Sequence, residues 1–187
     1  MNGITRAAIA DTLKSLLREK PLSRITVTDI STRCGISRMT FYYHFRDIYD
    51  LVGWIISSDI ASILSGRKTH DTWEEGFLAL FRAVEENQAF VLNAYSSLSR
   101  EQLERSLRPL VDELILSVLR ESERAASVSA DDEAFISAFF SYAFIGIMLD
   151  WIGGGMRERP EDIMRSLSCI MDGALEHAIN GFCTLHR

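Results

Sequence analysis

The stretch from Ile25 to Leu51, ITVTDISTRCGISRMTFYYHFRDIYDL, predicts two short helices joined by a tight turn. Thr28 is a residue type that caps helix N-termini, so we expect it to start the first helix. Gly35 lies where that helix must end, because glycine tolerates the positive φ found at helix C-termini. Ser37 is expected to cap a second helix from Arg38. This spacing indicates a helix-turn-helix, whose second helix can enter a DNA major groove.

The second of these helices has an apolar flank and a mixed outer flank. Phe41 and Phe45 are four residues apart, so they share one helix face and are expected, with Ile36, to pack on Ile30. The outer flank is left to Arg38, Met39, Thr40, Tyr42, Tyr43 and His44. Residues of these types, gathered on the outside of a small domain, indicate a binding surface.

This stretch resembles the TetR family of bacterial transcription regulators. The likeness is carried by VTDI at 27–30, CGIS at 34–37 and TFYYHF at 40–45, followed by an acidic and aromatic run. The pattern covers about the first quarter of the chain, and the rest is similar in length and helical plan. The resemblance implies an all-α fold. It divides the chain into a three-helix, helix-turn-helix DNA-binding domain at 1–47 and a helical ligand-sensing and dimerisation domain at 48–187.

Side-chain chemistry divides the expected DNA contacts into two groups. The tips of four residues suit phosphate oxygens: Thr28, Ser37, Tyr43 and His44. Arg38, Thr40 and Tyr42 are candidates for base edges or thymine methyls, and the fork of Arg38 matches the two major-groove acceptors of guanine. Family members often have a lysine shortly after the second helix, and Arg46 is expected to take over its phosphate contact. Met39 completes the predicted DNA-contact set.

Three alternatives remain open for residues in this region. The ring of Tyr42 could pack inside with only its hydroxyl exposed, and His44 could serve as a cation that stabilises the helix C-terminus. Asp47 and Asp50 are expected to stabilise the N-terminus of the next helix through its dipole. These two carboxylates would also weaken the attraction to phosphate.

The charge of the chain is unevenly distributed. The net charge is −6, which by itself argues against a nucleic-acid partner. Residues 1–50, however, hold eight Lys and Arg against five Asp and Glu, a charge of +3, whereas the remaining 137 residues hold twelve basic and twenty-one acidic residues. A basic segment attached to an acidic one is typical of a DNA-reading domain joined to a domain with another role.

Length and composition limit the class of protein. The 187 residues suffice for one small and one larger helical domain. No apolar run reaches the roughly 18 residues of a membrane span, and no charged-then-apolar leader is found, so we expect a cytoplasmic protein. The three cysteines, Cys34, Cys169 and Cys183, lack CxxC spacing. They indicate neither a disulfide framework nor a zinc site, and we expect buried thiols.

Apolar periodicity predicts helices along the whole chain. We expect them near residues 5–19, 48–64, 72–87, 90–95, 99–124, 133–152 and 161–182. Pro21 should end the first, and Pro109 must either kink the long helix or separate two helices. The glycine run 153–155 should end the apolar helix before it, and Pro160 fits the first turn of the last.

The larger domain contains an excess of aromatic residues that could line a ligand pocket. The candidates are Trp73, Phe77, Phe81, Tyr95, Phe139 and Tyr142. The alternative, which we favour for any single residue, is that these rings fill the core. The stretch from Phe144 to Trp151 and its Gly-rich turn are similar to regulators related to dihydroxyacetone-kinase activators. That similarity leaves a partner protein, as well as a small molecule, as the effector.

The last two predicted helices are apolar enough to pair with their copies in a second chain as a four-helix interface. The residues expected there are Phe140, Phe144, Met148, Leu167, Met171 and Leu175. The family resemblance also implies a homodimer, in which two recognition helices about one DNA turn apart read a near-palindromic operator in double-stranded DNA.

Catalytic motifs are missing from the sequence. GxSxG, P-loop, HExxH and GxGxxG patterns do not occur, and the four histidines lack metal-ligand spacing. We therefore expect no enzyme, no cofactor and no metal. The predicted function is a ligand-responsive repressor of transcription. A transcriptional activator, or a helical adaptor controlled by a partner protein, is the alternative.

Overall fold

The computed structural model describes residues 2–66, 69, 72–122, 128–171 and 173–185. Within these ranges all regular structure is helical, as predicted, and includes a short 3-10 turn at Leu22–Arg24. The α-helices are α1 (Asn2–Leu16), α2 (Val27–Cys34), α3 (Arg38–His44), α4 (Ile48–Ile63), α5 (Trp73–Glu86), α6 (Gln88–Ser97), α7 (Arg100–Arg120), α8 (Ala130–Gly153), α9 (Pro160–Met171) and α10 (Ala174–Leu185).

Helix α2 begins two residues earlier than the sequence pattern suggested. Its N-cap is Thr26, whose hydroxyl accepts a hydrogen bond from the Asp29 backbone N–H at 3.1 Å. The Asp29 carboxylate in turn accepts from the Thr26 backbone N–H at 2.8 Å. The prediction of Thr28 as the cap is therefore wrong, because this capping box satisfies the free N–H groups at the helix start two residues earlier.

The turn between α2 and α3 agrees with the prediction. Gly35 has φ 68° and ends α2 in the left-handed conformation. The hydroxyl of Ser37 accepts a hydrogen bond from the Thr40 backbone N–H at 3.0 Å and so caps α3. These two residues set the short connection that directs α3 away from α2.

The chain divides into two compact units. Residues 1–59 with Asn87–Ser106 form the first unit, and Ile60–Glu86 with Leu107–Arg187 form the second. The first unit has one apolar core, in which the rows of α1, α2, α3 and α4 meet. Ala94 of α6 belongs to the same core, which explains why the segment at 87–106 joins this unit. The predicted functional division at residue 47 stays a prediction.

The core of the first unit confirms the periodicity argument. Ile30, Phe41 and Phe45 are buried together with Ile9 and Leu13 of α1. Helix α1 ends at Leu16, earlier than predicted, and the next four residues form a turn before Pro21. The apolar face of α3 is thus held from behind by three other helices, and only its opposite face is available to a partner.

In the second half of the chain the helix bounds decide one open alternative, at Pro109, and correct one prediction, the last helix. Helix α7 continues through Pro109, so this proline does not separate two helices; the predicted end at residue 124 lies outside the described residues. The predicted helix at 161–182 is instead two helices, α9 and α10. Gly173 lies before α10 with φ 69°, a conformation that an uninterrupted helix excludes.

Helix α8 is the longest helix among the described residues, and it is strongly apolar. Ser129 caps it by accepting a hydrogen bond from the Asp132 backbone N–H at 3.2 Å. By length and composition alone α8 could cross a membrane, but 56% of its most apolar window is buried inside the fold. Burial on that scale is typical of a core helix. Cys169 of α9 is exposed, so the expectation of a buried thiol is wrong for this residue, and Cys34 and Cys183 are only partly buried.

Candidate functional site

The outward face of α3 consists of large side chains with little contact to the core. Met39 is 82% exposed and Tyr43 is 74% exposed, whereas Phe41 between them is fully buried. Tyr42 is half exposed and meets the edge of the Phe41 ring at 5.6 Å. Of the predicted α3 residues, Arg38, Met39, Tyr42 and Tyr43 are exposed, whereas Thr40 and His44 are only partly exposed. Only part of the Tyr42 ring packs inward.

The hydroxyl groups at the start of α3 are already engaged. Ser37 Oγ and Thr40 Oγ1 lie 2.9 Å apart and share a hydrogen bond, in addition to the capping bond at the Thr40 N–H. One of the two hydroxyls donates this bond and the other accepts it, and each oxygen keeps further acceptor capacity. Ser37 and Thr40 thus act first as structural residues that hold the N-terminal turn of α3.

His44 is the last residue of α3 and is only partly exposed. Its ring meets the edge of the Tyr43 ring with centroids 5.1 Å apart. This position fits both interpretations offered above, a phosphate contact and a cation at the helix C-terminus. The contact also limits the orientations open to Tyr43, whose hydroxyl is left on the outer face.

Three basic residues around the helix-turn-helix form short ion pairs with acidic partners. Lys14 pairs with Asp59 at 2.8 Å, Lys20 with Asp29 at 2.9 Å and Arg33 with Glu19 at 2.8 Å. Among the described residues, no ion pair is recorded for Arg38. Its guanidinium therefore keeps its full hydrogen-bonding capacity for a ligand outside the chain.

Arg46 follows α3 and extends into solvent. Its side chain is 88% exposed, and its contact with Asp50 is long at 3.7 Å, so this pair contributes little. Asp47 accepts a hydrogen bond from the Asp50 N–H at 2.8 Å, and Asp50 accepts one from the Arg46 N–H at 3.0 Å. Asp47 therefore caps α4, and Asp50 holds the backbone just before it; their predicted interaction with the helix dipole stays a prediction.

Two further residues complete the description of this surface. Thr28 is exposed in the first turn of α2, although it does not cap that helix. Tyr49 is also exposed, in the first turn of α4. Tyr49 is not among the DNA contacts predicted from the sequence, although its position outside the apolar row of Leu51, Val52 and Ile55 is a signal that it is exposed.

The aromatic residues predicted to line a ligand pocket do not form one group. Phe77 stacks on Phe144 with centroids 3.9 Å apart and an interplanar angle of 9°, and Phe81 meets Trp151 edge-on at 5.2 Å. Phe77 and Phe81 are buried, which agrees with core packing. Trp73 meets the edge of the Phe77 ring at 6.2 Å.

The other three candidate ligand residues lie elsewhere. Tyr95 belongs to the first compact unit, whereas Phe139 and Tyr142 are exposed on α8 in the second unit. The guanidinium of Arg108 lies over the Tyr142 ring, 4.2 Å from its centroid. The larger set therefore mixes core and surface residues, and its role in ligand binding stays a prediction.

The residues predicted for the dimer interface are divided by burial. Phe140, Phe144 and Leu167 are buried within their own chain, so their side chains have no surface to offer a second copy. Met148, Met171 and Leu175 are partly buried. The exposed apolar row of α8 lies one position away and consists of Phe135, Phe139, Tyr142 and Ile147.

This exposed row borders an open apolar groove of about 460 Å³. The groove lies between α8 and the helices α9 and α10, and Phe139, Ile170 and Phe182 are among its lining residues. Phe139 is 63% exposed. We call Phe135, Phe139, Ile170 and Phe182 the groove face; an apolar face of this kind indicates an interaction surface.

Comparison with protein families matches both halves of the chain. The family described as bacterial regulatory proteins, tetR family, matches residues 9–53, which include α2 and α3. A second family of this group, described as a transcriptional regulator C-terminal region, matches residues 71–173, more than half of the chain. The chain belongs to the TetR family. This TetR-family chain is therefore a transcription regulator with a helix-turn-helix DNA-binding fold, and regulators of this family are generally not enzymes.

One curated relative of the TetR-family chain is the HTH-type dhaKLM operon transcriptional activator DhaS of Lactococcus lactis. The two are 33% identical over 87 residues, which is 46% of this chain and 46% of the relative. The alignment thus spans less than half the length of that relative.

Solved structures show the same fold along nearly the whole chain. The dihydroxyacetone kinase operon activator DhaS superposes with a TM-score of 0.67 at 23% identity, covering 96% of this chain and 98% of its own. A TetR regulator from Rhodococcus sp. RHA1 gives 0.64 at 14% identity, with coverages of 91% and 98%. The repressor AlkX from Dietzia gives 0.63 at 17% identity, with coverages of 93% and 96%.

Proposed function

We propose that this chain binds an operator in double-stranded DNA by inserting α3 into the major groove. The observation that carries the proposal is the outward face of α3, on which Met39, Tyr42 and Tyr43 are exposed. Arg38 is exposed beside them and forms no ion pair with any residue that the structure describes. Arginine is the side chain that most often reads guanine in the major groove. Neither catalysis nor the adaptor function accounts for these residues being exposed together on α3.

The proposed contacts follow the chemistry of each side chain. Thr28, Tyr43, His44 and Arg46 are assigned to phosphates, which position the domain without reading sequence. Arg38, Thr40 and Tyr42 are assigned to base edges, with the backbone around Ser37 close to the DNA strand. Because Asp47 and Asp50 lie beside Arg46, we expect moderate overall affinity and a clear dependence on salt.

We propose that the chain acts as a homodimer formed through the groove face. Proteins of the family generally form dimers, and the exposed row of α8 with the groove beside it is an unpaired apolar surface of suitable composition. A two-fold dimer presents two copies of α3 to half-sites about 34–36 Å apart. The operator should accordingly be a near-palindrome.

We propose repression as the mode of regulation, with the protein in the cytoplasm and no cofactor or metal. A regulator that occupies a promoter blocks transcription without further contacts, and the structural relative AlkX is named a repressor. Activation is the second candidate, because both relatives named DhaS are described as activators. The effector is a small molecule or a partner protein. It has different affinities for the conformation that binds the operator and the conformation that does not.

The test is fluorescence anisotropy of the purified chain on duplexes from its own upstream region, over a salt series. Tyr43→Ala should weaken binding to all sites, whereas Arg38→Ala should chiefly relax sequence preference. Arg165→Ala removes an exposed arginine of the second unit and is the matched control. It should leave the binding curve unchanged.

The absence of salt-dependent binding to any duplex, including one selected from a random library, would count against the proposal and favour the adaptor. A reporter gene placed behind the selected operator then separates repression from activation. Repression predicts a higher signal when the regulator gene is deleted, and activation predicts a lower one.

A further inference from the structure

Met39 is the most exposed large apolar side chain recorded for the described residues, at 82%. It lies in the first turn of α3, directly after Arg38 and on the opposite side from the buried Phe41. Exposing an apolar side chain to water brings no stability. A single exposed methionine needs no explanation, but Met39 lies four residues before the exposed Tyr43 on one continuous face.

Met39 is the large apolar side chain that the first turn of α3 presents to solvent, and would present to the bases if α3 lay in a major groove. The hydroxyls of Ser37 and Thr40 are hydrogen-bonded to each other at 2.9 Å, and Thr40 is less exposed than Met39. In helix-turn-helix proteins the N-terminal residues of the second helix contact the bases. The first turn of α3 thus offers one charged reader, Arg38, and one apolar reader, Met39.

An apolar reader in the major groove has one suitable target. Guanine, cytosine and adenine present polar groups there, whereas thymine adds a C5-methyl group. A methionine side chain has no hydrogen-bond donor and its sulfur is a weak acceptor, while its flexible, polarisable end adapts to an apolar neighbour. Polar base edges would lose water against it without receiving a hydrogen bond.

We infer that Met39 is a specificity-determining residue that contacts the C5-methyl group of one thymine in each operator half-site. The inference rests on the proposed function, because it assumes that α3 enters the major groove. Since Arg38 and Met39 are consecutive, the thymine should lie within about one or two base pairs of the guanine that Arg38 reads. The half-site therefore combines a guanine and a nearby thymine.

The test replaces thymine by uracil, which removes the methyl group and keeps the hydrogen-bonding pattern. A duplex that the chain selects from a random library is prepared with single uracil substitutions at every thymine. Wild type should bind the critical substitution about fourfold more weakly per half-site, the effect of one buried methyl. Uracil outside the half-sites should change nothing and serves as the DNA control.

Two variants assign the effect to Met39. Met39→Ala should bind the thymine and uracil duplexes equally, because the group that contacts the methyl is gone; alanine is a good helix former, so α3 should be preserved. Met39→Leu keeps an apolar side chain of similar size and should keep most of the preference for thymine. Helical content by circular dichroism checks that both variants fold.

The outcomes distinguish this inference from the proposed function. If wild type selects and binds a duplex but no uracil substitution weakens it, methyl reading is overturned while DNA binding stands. If the thymine preference persists unchanged in Met39→Ala, another residue such as Thr40 reads the methyl and the assignment to Met39 is overturned. If no duplex is selected and no salt-dependent binding occurs, both proposals fail.

Discussion

Asp29 and Thr26 hold each other in place at the start of α2. The carboxylate of Asp29 accepts hydrogen bonds from the Thr26 N–H and from the Thr26 hydroxyl, both at 2.8 Å. The same carboxylate lies 2.9 Å from Lys20 Nζ. The Lys20 contact and the two hydrogen bonds from Thr26 lower the pKa of Asp29 from 3.8 to about 2. The Asp29 side chain thus connects Lys20, in the turn that follows α1, to the first turn of α2.

The lowered pKa of Asp29 predicts a specific loss of stability in acid. A carboxyl whose pKa is lower in the folded state stabilises the fold above its unfolded pKa, and that contribution is lost as the pH falls towards the folded pKa. The difference in urea midpoint between wild type and Asp29→Asn should therefore be constant above about pH 4 and shrink between about pH 4 and pH 2.

Denaturation followed by circular dichroism at several pH values measures this difference. Asp11→Asn is the matched control, because Asp11 is an exposed carboxylate on α1 of the same unit. Its midpoint should differ little from that of wild type at any pH. An Asp29→Asn midpoint equal to that of wild type at pH 6 would show that the negative charge of Asp29 contributes no stability.

Glycine is favoured at position 35 because of the positive backbone φ and not because a larger side chain would clash. Its φ is 68°, and a Cβ atom added there would meet no neighbour within 4 Å. Gly35→Ala should therefore destabilise the chain by about 1 kcal/mol through left-handed strain alone.

Gly181 in α10 also has open space around its Cβ position, but it has no positive φ. Gly181→Ala should be neutral or stabilising by up to about 1 kcal/mol, and urea denaturation compares the two; equal effects would contradict the strain argument.

The stacked pair of Phe77 and Phe144 predicts that Phe77 contributes to the stability of the core. Phe77→Ala removes a buried ring that stacks at 3.9 Å, and we expect a loss of about 3–5 kcal/mol of unfolding free energy. Phe139→Ala removes an exposed ring of the same chemistry and should cost much less in the isolated chain. The two measurements are made by urea denaturation at low protein concentration. Similar costs at both positions would mean that Phe139 is also buried in solution.

The helix-turn-helix could be predicted from sequence because its signals are local. Gly35 and Ser37 mark a turn through backbone conformation and capping, and the four-residue spacing of Phe41 and Phe45 identifies the buried side of α3. The cap at Thr26 was missed for an equally local reason. Thr26 and Thr28 are both good capping residues, and only the reciprocal bond from Asp29 distinguishes them.

The surfaces of the second unit could not be predicted in the same way. Helix α8 is apolar on nearly every side, so periodicity does not say which row faces inward. Phe140 is buried and Phe139 is exposed, although they are adjacent and of one type; the choice depends on how α9 and α10 pack. The break at Gly173 was missed because the apolar pattern continues across it.

If the groove face forms the dimer interface, a charged residue introduced there should prevent dimerisation. Phe139→Glu places a carboxylate where a second copy would bury an apolar ring, and an unpaired charge is costly to desolvate. We expect wild type to sediment as a dimer at micromolar concentration and Phe139→Glu to sediment as a monomer. Operator affinity should fall in parallel, because a monomer binds one half-site without its linked partner.

Glu74→Gln in α5 is the control, since Glu74 is an exposed residue that does not line the groove. It changes the net charge by one unit, in the opposite direction to Phe139→Glu, and should leave the dimer intact. The interpretation also requires the variant to remain folded, which its helical circular dichroism would show. A folded Phe139→Glu protein that still sediments as a dimer would place the interface elsewhere, because an interface centred on Phe139 cannot accommodate two uncompensated carboxylates.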